Sequence, residues 1–243
     1  MIARTALPAA LLAAAVALAG CQQIVPPGSV RGSGNVRSES RDVHDFDRVE
    51  VGGVGTLTVA QGASEALTIR AEDNVLPMLQ STVRNGTLTL SPAPGAGLSP
   101  TRPIEYQLTV KQLREIDVSG AADASAAGLS ADQFTLAISG SGGARLDQLT
   151  ASALTVRLSG SGSARASGQA PQQTVSVIGS GGYDASGLAS QRATADVSGS
   201  GSCSLRVSDE LTATISGSGS VRYSGSPVVT QHVSGSGSVT KAG

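Results

Sequence analysis

A short motif of alternating serine and glycine returns through the second half of the chain, and its spacing constrains the fold. "RLSGSGSARASG" (residues 157–168), "AISGSGGARL", "DVSGSGSCSLRV" and "HVSGSGSV" are variants of one another. The motif starts fall at Ser119, Ser139, Ser159, Ile178, Ser198, Ser216 and Ser234, giving steps of 20, 20, 19, 20, 18 and 18 residues. A fixed period of this size marks a solenoid, in which each coil stacks on the last. One such coil holds two or three short strands with turns. It is too short for a strand and a helix with loops, and nothing between the motifs has helical apolar spacing. The spacing predicts an all-β stack of coils of about 18–20 residues.

Aligning the coils exposes a candidate core. The residue before each start is Val118, Ile138, Leu158, Val177, Val197, Ile215 and Val233. Five residues after it come Ala124, Ala144, Ala164, Tyr183, Cys203, Val221 and Val239, and two further on Ala126, Leu146, Ala166, Ala185, Leu205 and Tyr223. Later in the coil the first four repeats show Leu129, Leu149, Ala170 and Leu188. The residues between are mostly polar, so period-two alternation sends the columns inward. No coil could bury its own apolar face, and stacking joins the faces into one core. Cys203 shares a column with Ala, Val and Tyr and reads as a small buried hydrophobe. Arg145, Arg165 and Arg222 fall in the adjacent outward register with Ser125, Asp184, Ser204 and Thr240, which reads as a solvated face. The glycines point to positive φ or close backbone approach. Whether the Ser/Gly surface is only a wall or also a contact face is left open by the residues.

The first half of the chain is organised differently. Residues 1–20 are a secretory signal: "MIAR" is a positive start and "TALPAALLAAAVALAG" an apolar run ending in small residues. "LAGC", Leu18 to Cys21, is similar to a bacterial lipobox, which implies acylation of Cys21 and a membrane partner through the N-terminal lipid. Gln22 after the cysteine resembles outer-membrane sorting. Residues 21–31 read as a tether and 32–243 as one domain: an N-terminal β part (32–90), a Pro/Gly loop (91–103) and the repeat part (104–243). "GSGNV", Gly32 to Val36, echoes the motif. Val51, Leu57 and Val59 match the inward pattern around Gly52, which puts this region on the same axis. In "IEYQLTV", Ile104, Tyr106, Leu108 and Val110 share one strand face. "EDNVLPMLQSTV" is compatible with a turn and a short helical piece limited by Pro77.

Composition narrows the function classes. With 17 basic and 18 acidic residues the net charge is -1, which gives no footprint for nucleic acid. There is no Trp, and there are only three Tyr and two Phe, so the core is filled by small residues. His44 and His232 are far apart in the sequence and neither has a thiol neighbour, which argues against a His-containing metal site. No P-loop ending or GxSxG elbow is present. Asp123 and Asp184 lie in different registers, so a carboxylate pair for glycoside hydrolysis is not visible. No cofactor and no catalytic residue is expected.

Three stretches in order carry a family resemblance: "GSGNV…FDRVEVGGVGTLTVAQGASEALTIRAEDNVLPMLQSTVRNGTLTL", "PIEYQLTVKQLREIDVSGAADA" and the "SGSG" repeats. The chain resembles the auto-transporter adhesin, head GIN domain family. The resemblance implies a secreted or envelope-bound right-handed β-solenoid, often with a lipobox, and supplies no catalytic residues. The expected role is a non-enzymatic envelope lipoprotein, structural or adhesin-like, lipid-anchored at the outer membrane. Candidate partners are an envelope protein or glycan, and a second copy through the solenoid end. The competing readings are a periplasmic sensor or quality-control accessory, and a carbohydrate-active β-helix enzyme. Because "VTKAG" is a meagre cap after Val239, the end coil is where a partner is expected.

Overall fold

The structure, a computed structural model, describes residues 29–242. The signal segment and Cys21 lie outside the described residues. Nineteen strands and one 3-10 turn (Leu76–Met78) make up the regular structure, and the chain is a β-solenoid. Its coils are built from parallel strands whose registers reproduce the aligned repeats. Val118, Ile138, Leu158, Val177, Val197 and Ile215 lie on consecutive rungs and are all buried. So do Ala124, Ala144, Ala164, Tyr183, Cys203 and Val221. Burying one Val or Leu side chain contributes about 1.5–3 kcal/mol. Val233 ends its column 43% exposed, because no described strand lies beyond it.

The Ser/Gly motif forms one corner of each coil. Gly199 has φ 111°, a region that L side chains avoid, and a Cβ there would sit 2.6 Å from the Gly179 carbonyl oxygen one coil below. The next glycine, Gly201, has a different reason. Its Cβ would meet Val177 Cγ1 at 2.5 Å and the Gly181 oxygen at 2.8 Å. The corner is tied coil to coil by Ser200 N–H donating to Gly179 O (2.9 Å) and Ser202 N–H donating to Gly181 O (3.0 Å). The glycines are thus a packing requirement of the corner.

One column departs from the alignment. Leu149, Gly168 and Leu188 are in register, not Leu149, Ala170 and Leu188. An irregularity between Leu146 and Leu149 shifts the pairing, and Ala170 is buried at the following corner, donating its N–H to Ala189 O at 2.9 Å.

The N-terminal region lies on the same axis, as expected: Val51, Leu57 and Val59 pair in parallel with Val118, Ala124 and Ala126. Chain order is not stacking order, however. Thr87–Pro92 and Glu105–Val110 form the layer on the far side of Arg48–Val51 and Val54–Gln61. Glu105–Val110, grouped by sequence with the repeats, therefore belongs to the opposite end. Antiparallel strands close that end: Ala66–Glu72 on Glu105–Val110, Val36–Arg41 on Ala66–Glu72, and Leu79–Arg84 on Thr87–Pro92. Residues 91–103 are more than a loop, since Gly97–Ser99 pairs in parallel with Ser29–Arg31.

"GSGNV" is not a rung. It wraps a buried carboxylate, Glu72, which is 1% exposed. Glu72 accepts hydrogen bonds from Gly34 N (2.7 Å), Thr101 N (2.9 Å), Thr101 Oγ1 (2.5 Å) and Arg102 N (3.3 Å). A Cβ on Gly32 would fall 1.9 Å from the carboxylate. Burial pushes the Glu72 carboxyl up, but the Thr101, Gly34 and Arg102 donors outweigh it and hold the group below its ordinary value.

Two outcomes are expected from these contacts. Gly199→Ala lowers stability in denaturant titration by roughly 2 kcal/mol or more, from positive φ plus a backbone clash, while Ser200→Ala on the exposed corner stays within about 0.5 kcal/mol. Because the folded carboxyl of Glu72 is depressed, its stabilisation is complete above the unfolded value near 4.3 and is lost as pH falls through the lower folded value. Glu72→Gln therefore loses about 1–3 kcal/mol at neutral pH, and the difference from the natural chain shrinks as a thermal-melt series is taken into acid.

Candidate binding face

The outward residue four places before each motif start is a threonine from the second repeat onward. Thr135, Thr155, Thr174, Thr194, Thr212 and Thr230 occupy one column on consecutive parallel rungs. Strand spacing puts their hydroxyls roughly 4.8 Å apart along the axis. At the corner of the same wall runs a second column: Ser139, Ser159, Ile178, Ser198, Ser216 and Ser234. All six are exposed, and Ile178, at 57%, is the single apolar member. Between the two columns the same backbone carries Ala137, Arg157, Ser176, Asp196, Thr214 and His232, a mixture without pattern.

The foot of this wall is charged. The threonine column continues downward into Glu115 and then Arg48, and Asp117 sits directly opposite Glu50. Partial burial, then the carboxylates of Glu50 and Glu115, push the Asp117 carboxyl above its ordinary value. Among the described residues no group of His, Cys, Asp and Glu is arranged to hold a metal ion.

The arginine register expected from sequence lies on a different wall. Ser125, Arg145, Arg165, Asp184, Ser204, Arg222 and Thr240 are consecutive rungs. Arg145 pairs with Asp147 at 2.6 Å, and Arg165 with Asp184 at 3.0 Å. The Ser186 hydroxyl first, with help from Arg165, holds the Asp184 carboxyl below its usual value. These side chains are largely solvated, and such surface pairs are worth about 0–1 kcal/mol. Their charges neutralise one another, so no continuous basic stripe forms. Asp123 faces Thr56 and Gly143 and has no register partner in Asp184.

Cys203 is 1% exposed, between Tyr183 and Val221 on neighbouring rungs, and burial lifts its thiol far above the ordinary value. Beside it the core holds one polar chain: Gln173 Nε2 donates to Tyr183 Oη (2.6 Å) and Ser190 Oγ donates to Gln173 Oε1 (3.3 Å). His44 is on the surface, 2.9 Å from Asp45, and this hydrogen bond raises its pKa. His232 is exposed on the last coil, far from it along the chain. Cys21 lies outside the described residues. No helix among those residues is long and apolar enough to cross a membrane.

Solved structures share the fold. A "putative adhesin" from Bacteroides fragilis superposes with a TM-score of 0.80 at 23% identity, covering 88% of this chain and 99% of that one. A "putative lipid binding protein" from Parabacteroides distasonis gives 0.74 at 22% identity, with 88% and 100% covered. A "putative adhesin" from Parabacteroides merdae gives 0.66 at 23% identity, with 89% and 100% covered. No curated protein sequence matches the chain. Residues 45–227, well over half of the chain and spanning the antiparallel end as well as the coils, match the family described as "Putative auto-transporter adhesin, head GIN domain", and the protein belongs to that family.

Proposed function

We propose that the protein is a non-enzymatic lipoprotein of the cell envelope, anchored through acylated Cys21, whose threonine wall is its contact face for an envelope glycan. The observation that carries this reading is the unbroken column Thr135, Thr155, Thr174, Thr194, Thr212 and Thr230. Six hydroxyls in register, each a donor and an acceptor, suit a polyhydroxylated chain lying along the axis. The column itself bears no charge, which favours a neutral sugar surface over an anionic one. The serine column at the corner widens the same polar face. Family membership supports an adhesin-like role at the envelope or cell surface.

The lipid anchor rests on the Leu18–Cys21 motif and the apolar segment before it. Several acyl chains on one cysteine would hold the protein stably where a single chain would not. A domain raised on a short tether then presents its walls to whatever lies beside the membrane.

The test is sedimentation of the full chain with isolated envelope polysaccharide and cell-wall sacculi. The natural chain is expected to co-sediment, and Thr174→Arg combined with Thr194→Arg, both at exposed positions, is expected to weaken binding at least about tenfold without a change in melting temperature. No binding by the natural chain, or equal binding by the double variant, overturns the glycan face. Cys21→Ser is expected to move the protein from the membrane to the soluble fraction, and unchanged membrane partition overturns the anchor.

A further inference from the structure

The two ends of the solenoid are guarded unequally. At the N-terminal end the outer strand Val36–Arg41 carries Arg37, Glu39 and Arg41, with Glu39 and Arg41 paired at 3.0 Å. Leu79–Arg84 ends in an arginine there as well. Charged residues on an edge strand oppose pairing with another chain. At the other end the strand Val228–Gly235 pairs on one side with Ser202–Gly217, and no described strand pairs on its other side. Ser238–Lys241 likewise pairs only with Ser220–Ser224. The strand Val228–Gly235, "VVTQHVSG", contains no Asp, Glu, Lys, Arg or Pro. Val228 is 73% exposed and Val233 43% exposed.

The inward side of this strand reads the same in both directions. Val229, Gln231 and Val233 continue the buried columns of Leu211, Ala213 and Ile215. In an antiparallel pair about a two-fold axis through Gln231, Val229 lies opposite the second copy's Val233, and Gln231 lies opposite its own equivalent. Two facing Gln amides can satisfy each other with one donor and one acceptor apiece. On the outward side Thr230 meets His232 and Val228 meets Ser234, with no like-charged pair. A head-to-tail stack that keeps the walls aligned would instead set Val228–Gly235 against Leu79–Arg84, which ends in an arginine, and Ser238–Lys241, which carries Lys241, against Arg37, Glu39 and Arg41. It would also propagate as a filament, whereas the two-fold arrangement closes.

We infer that the C-terminal coil is a dimerisation edge, and that a second copy of this chain pairs antiparallel to Val228–Gly235 with Gln231 on the two-fold axis. The dimer continues both cores through one shared sheet and covers the exposed ends of the inward columns. It also places the two threonine walls on one long particle.

Single cysteines in the purified full chain test the geometry. Residues directly opposite on antiparallel strands have Cβ atoms about 4.5–5.5 Å apart, within reach of mild oxidation or a short thiol crosslinker. Gln231→Cys is expected to give a covalent dimer by itself. Val229→Cys alone is expected to give none, but to link when mixed with Val233→Cys chains. Each is made in a Cys21→Ser chain, whose one remaining cysteine, Cys203, is buried, and that parent is the background control. Sedimentation is expected to show twice the chain mass at micromolar concentration, falling to one chain mass for Gln231→Lys, with the melting profile of a folded solenoid retained. A monomeric natural chain, self-linking of Val229→Cys equal to that of Gln231→Cys, or a dimer unaffected by Gln231→Lys each overturns the inference.

Discussion

Everything in this solenoid depends on the close contact of glycine on glycine at one corner. Gly140, Gly160, Gly179, Gly199, Gly217 and Gly235 stack in register, each with positive φ. The backbone turns sharply there and offers its carbonyl to the next coil, so the corner is both a bend and a rung. A side chain on either glycine of the motif would part the coils by more than the sheet spacing tolerates. The narrow core follows from the same constraint. A tightly turned coil leaves little interior, and alanines such as Ala124, Ala144 and Ala164 fill it where larger residues would not.

Parallel coils create open edges, and the two ends of the molecule handle them differently. The N-terminal end changes strand direction, adds charged edge residues and locks its loops onto Glu72. That carboxylate gathers four donors from three residues that would otherwise be free to separate: Gly34, Thr101 and Arg102. The first-formed part of the chain thus becomes a lid on a stack whose coils begin in its middle, because Thr87–Pro92 and Glu105–Val110 pass beneath Arg48–Val51 and Val54–Gln61. Nothing comparable shields Val228–Gly235 among the described residues.

Much of the fold was legible because inward columns obey packing, and packing repeats. Val118 through Ile215 recur at the spacing of the Ser/Gly motif, and the structure puts them on successive rungs. Glu72 was not legible: its partners lie 38, 29 and 30 residues away, and no local pattern announces a carboxylate that three backbone amides will surround. The swapped layer order was hidden for a similar reason. "IEYQLTV" reads as a strand in either place, and only its antiparallel partner Ala66–Glu72 fixes the end to which it belongs. Ala170 leaves the column that its spacing suggests because its coil takes up its length change between that column and the one before it. The threonine column was available in the sequence. Its members stand four residues before each Ser/Gly start, outside the span that an alignment running forward from the motif compares.

That column has no counterpart in the demands of the core. Inward positions are constrained by volume, and corner glycines by backbone geometry, so their recurrence needs no function. An outward position on an exposed sheet is free to vary, and its neighbour two residues on does so, from Ala137 and Arg157 to Asp196 and His232. Cross-strand threonine pairs contribute roughly 0.2–1 kcal/mol each, enough to favour the residue but equally available to the varying column. Register irregularities fall ahead of the threonine segments, at Leu146/Leu149, Arg165/Ser167, Ala185/Ala189 and Ser190/Arg192, while from the threonine to the corner glycine each rung pairs without a shift. A column kept both chemically uniform and geometrically regular, on a scaffold that absorbs its changes of length elsewhere, is what a periodic ligand would require.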